Sequence, residues 1–192
     1  MRKNIILCGV GGQGTVLASR LLSDAAMAKG IPVLSAETIG MAQRGGSVFS
    51  HLRMGDGLFS PMIARGEADL IIGFEPGEAV RLLPFLKPGG EMIVSDRAVM
   101  PVTASLAGTD YSASDMLSFL FRQVKDLRVI DAEKAMRAVG SPKVLNLILL
   151  GAAAAGGALG LTAEDLREAV RARVPEKFHD LNFRALAYAA GA

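Results

Sequence analysis

A glycine cluster near the start of the chain is the first group of residues whose types and spacing indicate chemistry. The segment Gly9-Val10-Gly11-Gly12-Gln13-Gly14 fits the pattern G-x-G-x-x-G. It follows the apolar run Ile5 to Cys8, typical of a buried strand, and precedes apolar residues at helical spacing. Glycines in that context permit a tight turn and let backbone amides approach a phosphate at the helix start. We therefore expect phosphate or pyrophosphate binding here, with glycines that serve only packing as the alternative.

A second candidate segment follows the predicted second strand, Ile31 to Ser35. Glu37 stands near the position where an acidic residue holds ribose in a dinucleotide site. The candidate residues beyond it are Gln43, Arg44, Gly45 and Gly46. The guanidinium of Arg44 suits a phosphate or a partner's carboxylate, and a solvated loop arginine is the alternative. Because both loops follow parallel strands, we expect them to meet at one edge of the sheet.

Several other polar side chains are weaker candidates. Cys8 is the only cysteine, so it cannot form an internal disulfide or hold an iron–sulfur cluster, and we expect a core residue. His51 is expected to be a half-exposed strand residue bonded to a neighbour, with an interface or active-site edge as the alternative. His179 is expected to be solvated. Asn146 and Asn182 lie in apolar helical stretches, and we expect them to bond backbone nearby or across a helix pair.

These residues need a framework that brings strand ends together, and the chain pattern supplies one. A strand, the glycine turn, a helix and a second strand make a βαβ unit with parallel strands. Ser47 to Met54 alternates as a strand, and a turn before Leu58 to Ser60 predicts an inserted hairpin. Strands are then expected at 69–74, 92–95 and 128–130, followed by helices at 131–139, 143–159, 163–173 and 176–190. The fold class is α/β: a Rossmann-like, mostly parallel sheet flanked by helices, with an inserted β-hairpin and a helical C-terminal part.

Composition limits the function classes. A chain of 192 residues with 51% hydrophobic and 21% charged residues predicts one packed domain, 1–192. The net charge of +2 is too small to gather nucleic acid or an anionic membrane. The uncharged stretch Val144 to Leu161 is rich in Ala and Gly, so we expect a packed helix rather than a membrane span. The first residues carry no signal-peptide pattern, and a cytoplasmic protein is expected.

The sequence resembles the gamma-type subunits of thiamine-diphosphate-dependent 2-oxoacid:ferredoxin oxidoreductases. The matching stretches follow one another in the same order along nearly the whole chain. The resemblance rests on the glycine cluster, on Glu37 to Ser47 and on Ser60-Pro61. It continues in Lys143 to Asn146 with Leu149 to Ala152, and in Val174 to Phe178 with Leu181 to Ala185. The form of Gly40 to Val48, with Ser50 to Arg53 after it, is most similar to family members that act on indolepyruvate.

This resemblance implies a complex that oxidatively decarboxylates a 2-oxoacid, reduces ferredoxin and makes an acyl-coenzyme A. Thiamine diphosphate, Mg²⁺ and [4Fe-4S] clusters would belong to a larger partner subunit, and this chain would be inactive alone. It would dock on that subunit and help form the coenzyme A side of the site. Gly9 to Gly14 and Gln43 to Gly46 are the segments to which the resemblance would carry that role.

Other functions remain open from the residues alone. Within the family, the 2-oxoacid could be 2-oxoglutarate, pyruvate or a branched-chain acid. Outside it, the alternatives are a stand-alone NAD(P)-dependent oxidoreductase, in which Glu37 would hold ribose, and a nucleotide-sensing module. A docking subunit should expose an apolar patch. The candidates for that patch are Phe49, Leu58, Phe59 and Met62.

Overall fold

A twisted sheet of six strands forms the centre of the computed structural model, which describes residues 2–38, 45–100 and 111–189. Within these ranges the strands are β1 (Lys3–Val10), β2 (Val33–Glu37), β3 (Ser47–Met54), β4 (Ala68–Gly73), β5 (Leu86–Ser95) and β6 (Asp126–Ile130). Their order across the sheet is β2-β3-β1-β4-β5-β6. The strands β1, β4, β5 and β6 pair in parallel, whereas β3 runs antiparallel to both β1 and β2. The predicted α/β class with a mostly parallel sheet is confirmed.

The predicted hairpin differs from the structure in its second arm. Ser47 to Met54 is a strand, but residues 58–60 are not. Instead β3 is inserted between β1 and β2, with Ile6 opposite His51 on one side and Ala36 opposite it on the other. Both edges of β3 are therefore paired, which leaves no free edge for a return strand. Its residues from position 50 to 54 are all buried, as expected of an interior strand.

Seven α-helices lie in the described ranges. They are α1 (Thr15–Ala28), α2 (Pro76–Leu82), α3 (Ala113–Gln123), α4 (Ala132–Val139), α5 (Leu145–Ala155), α6 (Ala163–Arg173) and α7 (His179–Tyr188). Short 3-10 turns extend α2 at Leu83–Phe85 and precede α7 at Glu176–Phe178. The helical C-terminal part is thus present, although α5 is shorter than the predicted 143–159.

The two faces of the sheet are covered unequally. One apolar cluster packs the helices α1, α4, α5, α6 and α7 against the sheet, through residues such as Leu21, Ile148 and Leu186. The other is smaller and packs α2 and α3 through Ala79, Leu82 and Leu120. The glycine loop after β1 therefore opens at the carboxyl edge of the sheet, where the helices leave in opposite directions, and ligands bind open α/β sheets at such a point.

The most apolar helix, α5, is an internal element. Nine of its eleven residues are buried, including Asn146 at its start. No helix in the described part of the chain is both long and apolar enough to cross a membrane. The predicted packing of this stretch inside the fold is confirmed.

Candidate functional site

The glycine loop joins the end of β1 to the start of α1 in a conformation that needs glycine at two positions. Gly12 and Gly14 have φ angles of 100° and 83°, values that side chains with a Cβ rarely adopt. Gly14 is the N-cap of α1, so the first backbone amides of a 14-residue helix face outward there. A Cβ on Gly14 would also lie 2.7 Å from the Asn146 Nδ2 atom. The loop is therefore fixed in shape and close to the start of α5.

Gln13 braces this loop with its side-chain amide. Its Oε1 accepts a hydrogen bond from the Val10 amide at 2.7 Å, and its Nε2 donates to the Phe74 carbonyl at 3.0 Å. A Cβ on Gly9 would lie 2.6 Å from Gln13 Oε1 and 2.8 Å from Phe74 Cβ. Gly9 and Gln13 thus lock the loop onto the end of β4. Their contact with a cofactor stays a prediction.

The two predicted loops do meet at one edge of the sheet. The Gly11 amide donates to the Gly46 carbonyl at 2.8 Å, and the Gly45 amide lies 3.5 Å from the Gly11 carbonyl. Glu37, at the end of β2, lines a separate surface depression with Arg20 and Arg173. Gln43 and Arg44 lie outside the described residues, so their assignment to a cofactor also stays a prediction.

Two clefts flank the glycine loop. The first, which we call the apolar cleft, has a volume of about 440 Å³ and is lined by Gly11, Gly12, Gly14, Thr15, Val16, Arg20, Thr38 and Val48. The second, which we call the basic cleft, has a volume of about 420 Å³ and is lined by Gly12, Gln13, Gly14, Leu17, Arg97, Val99, Pro142, Lys143, Leu145 and Asn146. Both volumes are in the range of small-molecule sites.

The basic cleft has the electrostatics of an anion site. Arg97 follows β5 at the carboxyl edge of the sheet, and Lys143 precedes α5. Both side chains are exposed, and the described lining residues include no carboxylate. Neither residue was predicted from the sequence to be a binding residue. Arg97 could have been found by the strand-end argument that was applied to Glu37, because it stands two residues beyond its own strand.

Two buried carboxylates, also missed from the sequence, lie beside the loop at the start of α2. Glu75 caps α2 by accepting from the Glu78 amide at 2.9 Å, and burial raises its pKa. Burial and the bond to Glu75 together raise the pKa of Tyr111. Glu78 accepts from Ser47 Oγ at 2.7 Å and pairs with Arg81 at 2.5 Å. None of these residues lines either cleft, so we treat them as structural supports of the site.

His51 and Cys8 are both interior. The prediction of a half-exposed His51 is wrong, because β3 is an interior strand and only 2% of His51 is exposed. Its Nδ1 accepts from the Ile63 amide at 3.2 Å, and burial lowers its pKa. Cys8 is fully buried, and burial, reinforced by the charge of Glu78, raises its pKa. A thiol that stays protonated is a core residue rather than a nucleophile.

The two asparagines behave as predicted. Asn182 Nδ2 donates to the Phe178 carbonyl at 2.7 Å, while Asn146 Oδ1 accepts from the Leu147 amide at 3.0 Å and its Nδ2 lies 3.5 Å from the Gly14 carbonyl. The contact between Asn146 and Gly14 links α5 to the glycine loop. His179, expected to be solvated, is half-buried, and its Nε2 lies 2.7 Å from the Val174 carbonyl.

The single cysteine does not fit an iron–sulfur cluster, and the described residues do not fit a metal-bound diphosphate. One cysteine in the whole sequence cannot ligate an iron–sulfur cluster, which needs several thiolates. In the described ranges there is no group of three or more His, Cys, Asp or Glu side chains that could hold a metal ion.

Comparison with known proteins identifies the family. A family model described as pyruvate ferredoxin/flavodoxin oxidoreductase matches residues 4–192. The chain belongs to this family. It is similar to the indolepyruvate oxidoreductase subunit IorB of Methanothermobacter thermautotrophicus, with 38% identity over 96% of this chain and 94% of that relative. As a member, it is a subunit of an oxidoreductase complex of the 2-oxoacid:ferredoxin type.

Solved structures of family members share the fold. The gamma subunit of a keto/oxoacid ferredoxin oxidoreductase from Geobacter sulfurreducens superposes with a TM-score of 0.73 at 24% identity, over 100% of this chain and 95% of that one. The 2-oxoglutarate:ferredoxin oxidoreductase from Magnetococcus marinus, with 2-oxoglutarate, coenzyme A and succinyl-CoA bound, gives a TM-score of 0.71 at 17% identity. This chain is covered completely by that comparison and spans 31% of the other chain.

Proposed function

We propose that this chain is the subunit that forms the coenzyme A side of an indolepyruvate, or more broadly arylpyruvate, oxidoreductase and docks on a larger thiamine-bearing subunit. In this role it binds and orients the acyl acceptor, while the partner decarboxylates the 2-oxoacid and passes electrons to ferredoxin. The chain on its own is then inactive. The proposal combines a function known for the relatives with a site that this chain carries itself.

The basic cleft is the observation that carries the proposal. Coenzyme A bears phosphate groups at one end and a long, largely apolar arm at the other. Arg97 and Lys143 offer charged donors for phosphates, and Gly12, Gln13 and Gly14 of the glycine loop line the same cleft. The apolar cleft on the other side of Gly12 and Gly14 suits a less polar part of the ligand. A site with both characters matches this co-substrate better than a small 2-oxoacid.

The names of two relatives support the substrate assignment. The relative with 38% identity is an indolepyruvate oxidoreductase subunit. The structure from Magnetococcus marinus contains coenzyme A and succinyl-CoA. We therefore assign an arylpyruvate to the complex and coenzyme A to the acceptor step. Thiamine diphosphate, Mg²⁺ and the [4Fe-4S] clusters are assigned to the partner, because this chain lacks the thiolates that clusters need.

A short segment that follows β3 is the proposed docking surface. We call residues 58–63 the strap. Phe59 is 98% exposed and Met62 is 55% exposed, whereas Leu58 and Phe49, which were also candidates, are half-buried. Arg53 Nη1 holds the strap by donating to the Ser60 and Met62 carbonyls at 3.0 and 3.3 Å. A large aromatic ring presented on an anchored backbone suits a pocket on another subunit.

The test measures the Michaelis constant for coenzyme A in the complex reconstituted with the large subunit. The double variant Arg97→Ala/Lys143→Ala should raise it about tenfold to a hundredfold, the scale of one or two charged hydrogen bonds, with assembly intact. Lys134→Ala/Arg137→Ala removes the same two charge types from the exposed side of α4 and is the matched control. An unchanged Michaelis constant for coenzyme A in Arg97→Ala/Lys143→Ala would show that the basic cleft does not bind coenzyme A.

Arg44 provides a second arm of the same measurement. If Arg44 binds a phosphate, Arg44→Ala should raise the Michaelis constant for coenzyme A with assembly intact. If it pairs with a partner carboxylate, assembly should weaken instead.

Thermal stabilisation by ligands separates the function classes, since coenzyme A should raise the melting temperature whereas NAD and NADP should not. Stabilisation by NAD alone would favour a stand-alone dinucleotide enzyme.

A further inference from the structure

The walls of the two clefts come from distant parts of the sequence. One short helix, α2, is connected by hydrogen bonds to a wall of each cleft. The glycine loop forms their shared floor. Val99 lines the basic cleft together with Arg97. Gly11 and Val48 line the apolar cleft, and Gly46 is hydrogen-bonded to Gly11. Both walls are connected to α2, although α2 itself lines neither cleft. Glu75 and Glu78, which we call the carboxylate bracket, make these connections.

Glu75 holds the wall of the basic cleft. It is fully buried, and its Oε1 accepts from the Val99 amide at 3.4 Å while its Oε2 accepts from the Glu78 amide at 2.9 Å. The Tyr111 hydroxyl is a further hydrogen-bond partner of Glu75. A Cβ on Gly77 would lie 2.2 Å from that hydroxyl, so only glycine leaves room for it. One carboxylate therefore joins the start of α2, the start of α3 and the segment after β5.

Glu78 holds the other wall. Its Oε2 accepts from Ser47 Oγ at 2.7 Å and from Arg81 Nε at 3.1 Å. Ser47 follows Gly46, whose carbonyl accepts from the Gly11 amide at 2.8 Å. The chain of contacts from Glu78 thus runs through Ser47 to the glycine loop itself.

Packing alone does not account for a bracket of this kind. A buried carboxylate costs several kcal/mol of desolvation, which hydrogen bonds offset only when the geometry is good. The hydrogen-bond partners of Glu75 are backbone amides and a hydroxyl, and no cation donates to it among the described residues. An apolar side chain would fill the same space at lower cost. What it could not do is fix the position of Val99, because that requires an acceptor.

We propose that Glu75 and Glu78 are positioning residues that set the spacing of the two cleft walls against the glycine loop and so tune the affinity for coenzyme A. The inference rests on the proposed function for the identity of the ligand. The geometric part, that each carboxylate holds one wall, can be tested without any ligand.

The first experiment measures amide hydrogen exchange by mass spectrometry on the full chain in its complex, without ligand. In Glu75→Gln one acceptor oxygen becomes an amide donor, so the peptide spanning Asp96–Met100 should exchange about tenfold faster, the scale for one lost hydrogen bond to a charged group. Glu78→Met removes the acceptor of Ser47 Oγ, so exchange at Gly11, whose partner Gly46 precedes Ser47, should become faster while 96–100 stays unchanged. Glu133→Gln, whose side chain is 81% exposed on α4, is the control for loss of charge.

The second experiment separates positioning from general destabilisation by steady-state kinetics. Both bracket variants should raise the Michaelis constant for coenzyme A about fivefold to twentyfold while kcat stays within about twofold, because the reacting groups belong to the partner. Unchanged exchange at the two walls would overturn the inference. So would faster exchange throughout the chain with an unchanged constant, which is what a merely structural role predicts.

The two proposals fail in different ways. If coenzyme A gives the wild-type complex no added protection at Gly11 or at 96–100, the proposed function is wrong. The ligand-free exchange of the bracket variants still decides whether Glu75 and Glu78 hold the walls.

Discussion

Residue by residue, the glycine loop divides into supports and surfaces. Both ends of the Gln13 side-chain amide are hydrogen-bonded to backbone groups, those of Val10 and Phe74. Gly9 is required because a Cβ would meet Phe74. Gly11, Gly12 and Gly14 line the clefts. A motif of this kind therefore mixes residues that shape the site with residues that face a ligand, and spacing alone does not separate them.

His51 gives the fold a pH dependence that can be measured. Because its Nδ1 accepts from the Ile63 amide, Nε2 carries the proton, and the described residues provide Nε2 with no hydrogen-bond partner. Burial lowers its pKa below the ordinary value of 6.5. The unfolded chain therefore binds a proton first as the pH falls. Stability is fully present above about pH 6.5 and is lost as the pH falls through the lower, folded-state pKa.

Urea denaturation between pH 7.5 and 5 checks this prediction. In the wild type, His51 should lower the free energy of unfolding by up to about 1.4 kcal/mol per pH unit as the pH falls below about 6.5. His51→Asn keeps an acceptor for Ile63 and cannot titrate, so it should lower the overall stability but flatten the slope. His179→Asn changes the only other histidine and measures how much of the slope comes from that residue. Equal slopes in the wild type and His51→Asn would refute the assignment.

At the level of elements, α5 and α7 cross at a close backbone contact. A Cβ on Gly151 would lie 2.2 Å from the Leu186 carbonyl oxygen and 2.8 Å from its carbon, both backbone atoms. Backbone atoms cannot rotate away, so an added methyl must push the helices apart. This contact explains the glycine in the stretch Leu149 to Ala152, and α5 carries Asn146 to the glycine loop.

Gly151→Ala should therefore lower the free energy of unfolding by about 3 kcal/mol, the upper part of the range for overpacking. Gly156→Ala is the matched control at the end of the same helix. There φ is −75° and the nearest atom is the flexible Arg128 Nη2 at 3.3 Å, so the change should be neutral or stabilising by up to about 1 kcal/mol. Thermal or urea denaturation measures both. A Gly151→Ala protein as stable as the wild type would show that the helices are not packed this closely.

For the molecule as a whole, the exposed strap predicts how the isolated chain behaves. An exposed Phe59 beside an exposed Met62 should promote self-association until the partner covers them. Phe59→Ser/Met62→Ser should make the isolated chain more monomeric and weaken binding to the large subunit about tenfold or more, the scale of a buried aromatic anchor. Light scattering and titration with the large subunit measure these two effects.

The control for the strap is a pair of equally apolar residues elsewhere. Met27 is 55% exposed and Phe178 is 43% exposed, so Met27→Ser/Phe178→Ser removes the same two residue types from another part of the surface. It should leave assembly unchanged. If both double variants assembled like the wild type, the docking surface would have to lie elsewhere.

Local patterns in the sequence determined the elements whose signals lie within a few residues. The apolar run into the glycines, the helix after them and the packed, glycine-containing α5 follow from periodicity, from glycine conformations and from the absence of charge. The Gly11 and Gly46 segments meet at the edge that the sequence predicted, but their hydrogen bond extends the antiparallel pairing of β1 with β3, which was not predicted. The family resemblance, carried by motifs along the chain, is confirmed by the family match.

Tertiary structure decided the pairings between residues far apart in the chain. A strand pattern does not state its partners, so the insertion of β3 between β1 and β2, and with it the burial of His51, could not be predicted from alternation alone. For the same reason Arg97 and Lys143, or Glu75 and Val99, show no relation in sequence; only the packing of β5, α2 and α5 brings them together. The physical reason is that hydrogen bonds and charge act over a few ångströms in space, whereas sequence patterns report only on neighbours along the chain.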